Sequence, residues 1–381
     1  MSTADTVEMS SRLSEGLAPM RKPLATARHL PGYVYTSQEV LEREKERLFM
    51  TDWLMICREE EVESPGDYMT FRILGEPLLV CRDDDGELHA FANVCLHRGV
   101  EVASGSGNTK EFMCPYHGWL YDLTGHLVGA PYMKEAEGFD AAKCRLRPLR
   151  LATWGGFVFV CFDEATPPFA TFAADFIREY AFLQPERCRL SKKIVLDLDC
   201  NWKFLIENVM DMYHAHTLHG QSFGQHTSYD DLKVTLFDRG GLRSDYASGP
   251  IAPDGKTLFG KMPWMEDKPD DFALFGYMQP NTYIVCRVDQ VRMLITWPTE
   301  PGKCQGLMYS LFPQEHFANP DFWDRADKYH TYLAYVLGED SDMVRSLQRG
   351  MEAQAFEPGP LAGLEKAIHH FLNGYLDRML D

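Results

Sequence analysis

The stretch CLHRGVEVASGSGNTKEFMCPYHGW contains two cysteine–histidine pairs, Cys95 with His97 and Cys114 with His117. A zinc finger usually keeps its cysteines in one loop and its histidines in another, because a single ion takes all four ligands. Here each loop carries one residue of each kind. The two thiolates can therefore bind one metal ion while the two imidazoles bind a second one.

Ligands divided in this way are typical of a Rieske [2Fe–2S] centre, in which neutral imidazoles raise the reduction potential above that of an all-thiolate cluster. Gly99 and Gly118 lie near the second ligand of each loop, where glycine permits a tight backbone turn. We therefore expect the four residues to bind a [2Fe–2S] cluster. A structural zinc site is the alternative, and the colour of the pure protein separates the two because only the iron cluster is brown.

A second group of metal-binding residue types occurs in NWKFLIENVMDMYHAHTLHG. Asp211 and His214 would share a helical face, whereas His214 and His219 are about 140° apart on an ideal helix. Both histidines can reach one ion only if the helix ends or distorts, which Gly220 makes plausible. His216 would point elsewhere and is predicted not to be a ligand. Two imidazoles and one carboxylate form the facial triad of non-haem Fe(II) oxygenases, with coordination positions left open.

Composition excludes several other classes of protein. The chain has 381 residues, 45% of them hydrophobic, which is enough for two or three domains with real cores. A formal net charge of -18 argues against nucleic acid as a partner. No apolar run approaches the ~20 residues of a membrane helix. The polar, acidic N-terminus lacks a signal core, so we expect a cytoplasmic protein whose ten cysteines are thiols or metal ligands.

The pattern of residues predicts an α+β protein in three parts. A capping box, Thr36-x-x-Glu39, predicts a helix that ends an N-terminal arm over residues 1–45. Short alternating runs with turn residues between them predict a compact antiparallel β domain over 46–162. Residues 163–381 predict an α+β domain with several strands. Its helices are expected near Thr171–Leu183, from Asn201, over Asp321–Val336 and Asp342–Arg349, and along Leu361–Met379.

Both motifs resemble those of one family, the Rieske non-haem iron oxygenases, in their ring-hydroxylating catalytic alpha subunits. The run CPYHGW is very specific to the Rieske domain of that family. The pattern Asn208-x-x-Asp211-x-Tyr213-His214-x4-His219, after NWK, is similar to its mononuclear iron site. The motifs follow family order and span most of the chain. The resemblance implies an all-β Rieske domain followed by an α+β catalytic domain of the helix-grip, START-like type with an antiparallel sheet.

The resemblance also assigns ligands to the catalytic iron. His214 and His219 correspond to the two histidine ligands of the family. The third ligand is a carboxylate at the start of a C-terminal helix, and in LGEDSDMVRSLQRG the match gives Asp340. Glu339 and Asp342 are the alternatives, since acidic residues are also ordinary at helix starts.

Subunit assembly is a further implication of the resemblance. In this family the cluster of one subunit faces the iron of the next, and an acidic residue bridges a cluster histidine and an iron histidine. Asp211 matches that residue, and Asn208 belongs to the same catalytic motif. A carboxylate that accepts a ring N–H also fixes the tautomer of the histidine. We therefore expect at least a homotrimer.

The implied activity is activation of O2 at a mononuclear Fe(II) with electrons from the cluster. No Gly-rich dinucleotide fingerprint follows a strand, so electrons from NAD(P)H must arrive through a separate reductase, directly or through a ferredoxin. We favour a small aromatic substrate, such as an aromatic acid. The alternative is mono-oxygenation, or N- or O-demethylation, of a quaternary ammonium or methylated compound. From other classes, a non-catalytic Rieske electron carrier and a zinc-binding module remain.

The substrate pocket is expected to be mostly apolar. Arg287 and Arg292 flank a predicted VDQ turn, where they either bind a substrate carboxylate or are solvated hairpin ends. The expected lining consists of one residue near the iron ligands and alternating strand positions: Met210, Tyr283, Val285, Met293 and Ile295.

Overall fold

The computed structural model describes residues 16–380, which form two compact units. One unit comprises residues 49–172 and the other comprises residues 16–48 together with 173–380. The first fifteen residues of the expected N-terminal arm, and Asp381, lie outside the described residues. The domain limits expected from the sequence stay a prediction. None of the helices within residues 16–380 has the length and apolar character of a membrane-spanning segment.

The unit of residues 49–172 consists mainly of short antiparallel strands. Its sheets have the orders β1-β10-β9, β4-β3-β2-β5 and β6-β7-β8. The strands are β1 Leu54–Arg58, β2 Asp67–Ile73, β3 Glu76–Arg82, β4 Leu88–Ala92, β5 Ser106–Asn108, β6 Glu111–Met113, β7 Leu120–Asp122, β8 Leu127–Gly129, β9 Arg150–Trp154 and β10 Phe157–Cys161. The expected all-β domain is therefore present.

The other unit contains a single seven-stranded antiparallel sheet, ordered β11-β17-β16-β15-β14-β13-β12. Its strands are β11 Cys188–Leu198, β12 Thr227–Leu236, β13 Leu242–Ser248, β14 Phe272–Met278, β15 Thr282–Arg287, β16 Gln290–Glu300 and β17 Lys303–Pro313. Because helices from the same unit pack with this sheet, the predicted α+β class is confirmed.

The α-helices of the described residues are short, apart from two near the C-terminus. They are α1 Tyr33–Thr36, α2 Gln38–Glu44, α3 Phe169–Phe172, α4 Ala174–Tyr180, α5 Trp202–Met210, α6 Ala215–Leu218, α7 Phe322–Met351 and α8 Lys366–Leu380. The helix expected near Thr171–Leu183 is thus divided between α3, α4 and a 3-10 turn.

Two predicted helix starts were wrong. Thr36 does not cap the arm helix: it ends α1, and Ser37 caps α2 by accepting a hydrogen bond from the Val40 N–H at 3.4 Å. The acidic run before Asp342 does not begin a new helix either, because α7 continues through it from Phe322 to Met351. A helical Gly338 costs only about 1 kcal/mol relative to alanine, so packing along α7 can outweigh it.

The turn between β15 and β16 sets which side chains face the same side of the sheet. Arg287 pairs with Gln290, so the turn contains two residues rather than the three of the predicted VDQ turn. Val285 consequently pairs with Arg292. A register change of one residue exchanges the two faces of a strand. On the face that carries Val285, strand β16 therefore presents Arg292 and Leu294 rather than the predicted Met293 and Ile295.

The NWK motif fixes the start of α5. Asn201 caps the helix by accepting from the Lys203 N–H at 3.1 Å. The Lys203 ammonium lies 2.5 Å from Glu44 Oε1, and both side chains are fully buried. Trp202 Nε1 and the Tyr375 hydroxyl donate to the same carboxylate at 2.7 and 2.8 Å. A buried charge with this many partners is compensated, and it ties α5 to α2 and α8.

Helices α5 and α7 run antiparallel and are joined by hydrogen bonds two turns apart. The Asn201 N–H donates to Gln348 Oε1 at 2.9 Å, and Asn208 Nδ2 donates to Asp340 Oδ1 at 3.2 Å. These two contacts set the position of α7 along α5. They bring Asp340 to the end of α5, next to the segment that carries the histidines.

Candidate metal centres and active site

The two cysteine–histidine loops have closely similar backbones. In each loop the cysteine N–H donates to the carbonyl five residues further on, at 2.8 Å for Cys95 and 2.7 Å for Cys114. Gly99 and Gly118 donate back to these cysteines and have φ values of 79° and 69°. That left-handed conformation favours glycine, which explains why each loop closes at a glycine.

The cysteines and histidines of these loops differ in their exposure to solvent. Cys95 and Cys114 are buried, whereas His97 and His117 are exposed, with their Nδ1 atoms 3.1 Å apart. Two nitrogens bound tetrahedrally to one ion at about 2.1 Å lie about 3.4 Å apart. The imidazoles are therefore placed to share an ion on the solvent side of the buried thiols.

The geometry of the four residues fits a two-iron cluster better than a single zinc ion. Within residues 16–380, the only group of three or more potential ligand atoms lying within 4.8 Å of one another is His214, His219 and Asp340. The cysteines and histidines of the two loops form no such group, so they do not surround one ion. The pKa of His117 is lowered by desolvation and by the charges of His97 and Arg98, which favours the neutral, metal-binding imidazole.

Tyr121 lies behind the first loop. Its hydroxyl is 3.3 Å from Cys95 Sγ and accepts a hydrogen bond from the Leu96 N–H at 3.1 Å. Burial raises the pKa of Tyr121 well above its usual value, so the hydroxyl keeps its proton. Hydrogen bonds to cluster sulfurs affect the reduction potential. The sequence pattern gave no indication of this residue.

The histidines of the second group lie at the two ends of one helical turn. Helix α5 ends at Met210 with Asp211 as its C-cap, and α6 follows with His214 before it and His219 after it. The backbone of His219, at φ -95° and ψ 16°, departs from helical values. As the spacing required, a local distortion brings the two rings together, with centroids 5.1 Å apart.

Asp340 reaches both histidines from the middle of α7. Its Oδ1 lies 2.9 Å from His219 Nε2 and 3.6 Å from His214 Nε2. Two imidazole nitrogens and a carboxylate oxygen thus converge on one point, which is the donor set and spacing that a mononuclear Fe(II) site requires. The residues present therefore fit this metal.

A carboxylate lies on the far side of each ring and leaves both Nε2 atoms for a metal, but only His219 Nδ1 is hydrogen-bonded, since His214 Nδ1 has no hydrogen-bond partner among residues 16–380. His219 Nδ1 lies 2.8 Å from Glu339 Oε2, which also accepts from the Ser222 hydroxyl at 2.8 Å. His214 Nδ1 lies 3.2 Å from Asp211 Oδ2. A carboxylate hydrogen-bonded to Nδ1, as Glu339 is to His219, favours the Nδ1–H tautomer and orients the ring.

The charge distribution also suits a cation. Burial lowers the pKa of His219, but the carboxylates of Asp340 and Glu339 outweigh it, and the pKa is raised. With Asp211 beside His214, three carboxylates surround two imidazoles. A bound divalent ion would compensate this negative charge.

The alternative ligands weighed from the sequence have other partners. Glu339 faces Nδ1 of His219 rather than the side of the ring where Asp340 lies. Asp342 is exposed and lies 3.6 Å from Arg345. His216 Nε2 lies 2.9 Å from the Thr227 carbonyl, as expected for a residue outside the ligand group.

Gly224 allows the chain after α6 to approach the histidine segment. A Cβ at this position would lie 2.4 Å from the Ala215 carbonyl oxygen and 2.7 Å from that of His219. Only glycine permits so close a contact, which holds the backbone of His219 in place.

A cavity of about 110 Å³ adjoins the three converging residues and is bordered by α5, α7 and one face of the large sheet. Its aromatic lining consists of Phe223, Tyr229, Tyr246, Phe275 and Tyr283. A cavity of about 150 Å³ holds benzene, so the space beside the three residues is of the order that accommodates a small organic group.

The predicted lining was only partly right. Tyr283 and Val285 border the cavity, but Met293 and Ile295 do not. Arg292 and Leu294 take their place because of the two-residue turn. Met210 is likewise absent from the lining, and its neighbours Val209 and Met212 are present. Arg287 and Arg292 are buried in the wall of the cavity rather than solvated.

Two family models match the chain. Residues 52–150 match the Rieske [2Fe-2S] domain, and residues 185–381 match the ring hydroxylating alpha subunit catalytic domain. Together they include both groups of candidate ligands.

Curated relatives are similar to this chain over most of its length. The carnitine monooxygenase oxygenase subunit of Acinetobacter pittii is 36% identical over 86% of this chain and 86% of its own length. The chloroplastic choline monooxygenase of Arabidopsis thaliana is 29% identical over 92% of this chain and 82% of its own length.

Solved structures share the fold. A quaternary ammonium Rieske monooxygenase superposes with a TM-score of 0.77 at 24% identity, covering 94% of this chain and 96% of the other. The naphthalene 1,2-dioxygenase of Rhodococcus sp. gives a TM-score of 0.81 at 23% identity, covering 98% of both chains.

Members of the matched family are oxidoreductases with a Rieske [2Fe–2S] cluster and a mononuclear iron, and they form multimers that receive electrons from a separate reductase or ferredoxin. The expected family and cofactors are confirmed by the two family models and the curated relatives. The non-catalytic carrier and the zinc module are set aside, since a catalytic domain is present. This chain belongs to the Rieske non-haem iron oxygenases.

Proposed function

We propose that this oxygenase oxidises a small organic substrate in the cavity beside His214, His219 and Asp340. The observation that carries the proposal is the convergence of these three side chains, with ligand atoms within 4.8 Å of one another, on the wall of that cavity. A substrate in the cavity would lie next to the metal, as oxygen transfer requires.

Each residue of the catalytic site has a proposed role. His214 and His219 would hold the iron through Nε2, and Asp340 would hold it through Oδ1. When bound, the iron supplies activation of O2. Asn208 orients the Asp340 carboxylate through its 3.2 Å hydrogen bond, and Glu339 holds the ring of His219 at Nδ1. Asn208 also lines the cavity, whereas Glu339 does not.

In the Rieske unit, the proposed ligands of the cluster are the four residues of the two loops. Cys95 and Cys114 would hold one iron through their buried sulfurs, and His97 and His117 would hold the other through Nδ1. Exposure of the two imidazoles leaves their outer edges free to approach another protein surface.

Asp211 is proposed to link the two kinds of site across a subunit boundary. Its Oδ2 lies 3.2 Å from His214 Nδ1, and about a quarter of the side chain is exposed. A second imidazole could therefore reach the same carboxylate. Inter-subunit electron transfer is described for one structural relative, the quaternary ammonium Rieske monooxygenase. We propose that this chain acts as a homotrimer, or a multiple of one, in which Asp211 bridges to a cluster histidine.

Two substrate classes fit the cavity. Aromatic walls can pack against an aromatic acid, and they can also surround a quaternary ammonium group through cation–π contacts. The similarity to carnitine and choline monooxygenases favours the second class. Aromatic ring oxidation is the first candidate from the sequence, and the second is mono-oxygenation or demethylation of a quaternary ammonium compound. The cytoplasmic location stays a prediction.

Iron analysis and turnover test the proposal together. The purified protein should contain about three iron atoms per chain, two of them in the cluster. With a reductase, O2 and a panel of both substrate classes, at least one compound should be oxidised. His214→Ala and His219→Ala should keep the cluster spectrum but lose the catalytic iron and turnover, whereas His216→Ala should retain both.

Full turnover by either of the first two variants would contradict the assignment of the iron site. Loss of the cluster spectrum in them would show instead that the two centres depend on each other. The His216→Ala control separates metal binding from a general effect of removing an imidazole in this segment.

A further inference from the structure

Two buried arginines border the cavity, but only one has its hydrogen bonds satisfied. Arg287 donates to the Gly249 carbonyl at 3.2 Å, the Tyr246 hydroxyl at 2.9 Å and Ser248 Oγ at 3.2 Å. Arg292 is 6% exposed, and its Nε is buried without a hydrogen-bond partner among residues 16–380. The donors of Arg287 are thus used in hydrogen bonds within the protein, whereas the Nε–H of Arg292, a residue of the cavity wall, is not.

The charges around Arg292 do not balance. Asp289 is the carboxylate of the intervening turn, and its charge interacts with both arginines. Burial raises the pKa of Asp289 to about 6, so it is ionised at neutral pH. One carboxylate then faces two guanidinium groups in the interior. Since a buried charge without a partner is costly, an anion entering the cavity would be bound strongly.

The backbone of Arg292 lies at a different level along α7 from the candidate iron ligands. Arg292 pairs across the sheet with Ser310, whose hydroxyl lies 3.2 Å from His330 Nε2 on α7. From His330 to Asp340 the helix rises about 15 Å. Arg292 and Asp340 therefore border the same cavity from different levels along α7.

The wall between these levels is apolar. Leu294 on β16, and Leu333 and Val336 on α7, line the cavity. A ligand with one anionic end and an apolar or weakly polar remainder matches this distribution.

We propose that Arg292 binds a carboxylate group of the substrate, so that the opposite end of the substrate faces the iron site. This inference rests on the proposed function and narrows it to carboxylate-bearing substrates. Guanidinium and carboxylate groups form paired, charge-assisted hydrogen bonds, which give both affinity and orientation. Aromatic acids and betaines both carry the required group, whereas choline does not.

Matched ligand pairs test this proposal without turnover. Binding to the iron-loaded protein is measured under nitrogen by calorimetry, with benzoate against benzamide and glycine betaine against choline, and then with longer members of each series. The carboxylate member of at least one pair should bind at least about tenfold more tightly than its neutral or alcohol partner. The pair that binds identifies the source of the carboxylate.

Arg292→Met should abolish that preference while keeping the catalytic iron and the cluster. Arg349→Met, which changes an exposed arginine on α7, is the matched control and should retain it. Iron content separates this result from failure of the proposed function, because loss of the triad removes iron whereas loss of Arg292 does not.

Thermal unfolding without ligand gives a second test, because a purely structural role of Arg292 would not predict a higher Tm after its replacement. Replacing a buried guanidinium whose Nε–H has no acceptor should raise Tm in Arg292→Met, whereas Arg287→Met should lower it by removing satisfied hydrogen bonds. Unchanged carboxylate preference in Arg292→Met would overturn the proposal. Equal binding of neutral partners by the unmodified protein, or binding of no carboxylate in the panel, would overturn it as well.

Discussion

The cluster loops supply all four of their candidate ligands from residues 95–117, whereas the catalytic site combines histidines 214 and 219 with a carboxylate at 340. In the loops, short backbone hydrogen bonds and two glycines hold the ligands. In the catalytic unit, the position of α7 relative to α5 determines whether Asp340 meets the histidines. The first centre therefore depends on local structure, and the second depends on tertiary packing.

The largest expected effect comes from Asp340→Ala. Removing the carboxylate oxygen that reaches both Nε2 atoms should lower affinity for the catalytic iron by at least about 100-fold, since loss of an outer partner alone costs 10–100-fold. The cluster spectrum should not change, because its ligands lie in the other unit. Metal analysis and visible absorption measure the two effects.

Asp342→Ala is the matched control for that variant, because it removes an exposed carboxylate two residues away. Iron retained in Asp340→Ala, or lost in Asp342→Ala, would show that the third ligand is misassigned.

A smaller effect is expected from Gln348→Met, which is far from the metal. The change leaves the Asn201 N–H without its buried acceptor, at a cost of about 1–3 kcal/mol, and loosens the register of α7 against α5. Affinity for the catalytic iron should fall several-fold, while the cluster stays unchanged. Iron titration of the two variants Gln348→Met and Leu347→Met compares a buried contact with an exposed neighbour.

If Gln348→Met bound iron as well as Leu347→Met does, packing two turns away would not control the site. The catalytic site would then not differ from the cluster loops in its dependence on tertiary packing.

The smallest expected effect concerns Gly338, in the stretch where the sequence predicted a break between two helices. In the continuous α7 its Cβ would meet open space, so Gly338→Ala should raise the free energy of unfolding by about 0.5–1 kcal/mol. Urea unfolding measures the change. Gly86→Ala, also in open space but at φ +85°, should destabilise the protein. Destabilisation by Gly338→Ala would indicate a helix end at this point.

Sequence patterns predicted the loops and the histidine segment because their chemistry depends on short spacings. They failed at the length of one hairpin turn and at a helix whose extent depends on distant contacts. The two-residue turn at Val288 and Asp289 placed Arg292 rather than Met293 in the cavity wall, which no local pattern distinguishes. Similarly, the acidic residues around Asp340 have the composition of a helix start, but contacts with α5 keep them inside a long helix.

The central claim is that the two centres operate as one electron path through Asp211. Asp211→Asn keeps nearly the same shape, but an amide offers one acceptor and one donor group, so it cannot accept N–H bonds from two imidazoles as a carboxylate does. The multimer, the cluster and the catalytic iron should all be retained in the variant. Asp342→Asn is the matched control at an exposed carboxylate.

The decisive measurement is a single turnover. The cluster is reduced chemically, substrate and O2 are added, and cluster reoxidation and product are followed together. The unmodified protein and Asp342→Asn should reoxidise the cluster as product forms, whereas Asp211→Asn should form little product and keep its cluster reduced. Reoxidation and product formation by Asp211→Asn at the rates of the unmodified protein would contradict the account.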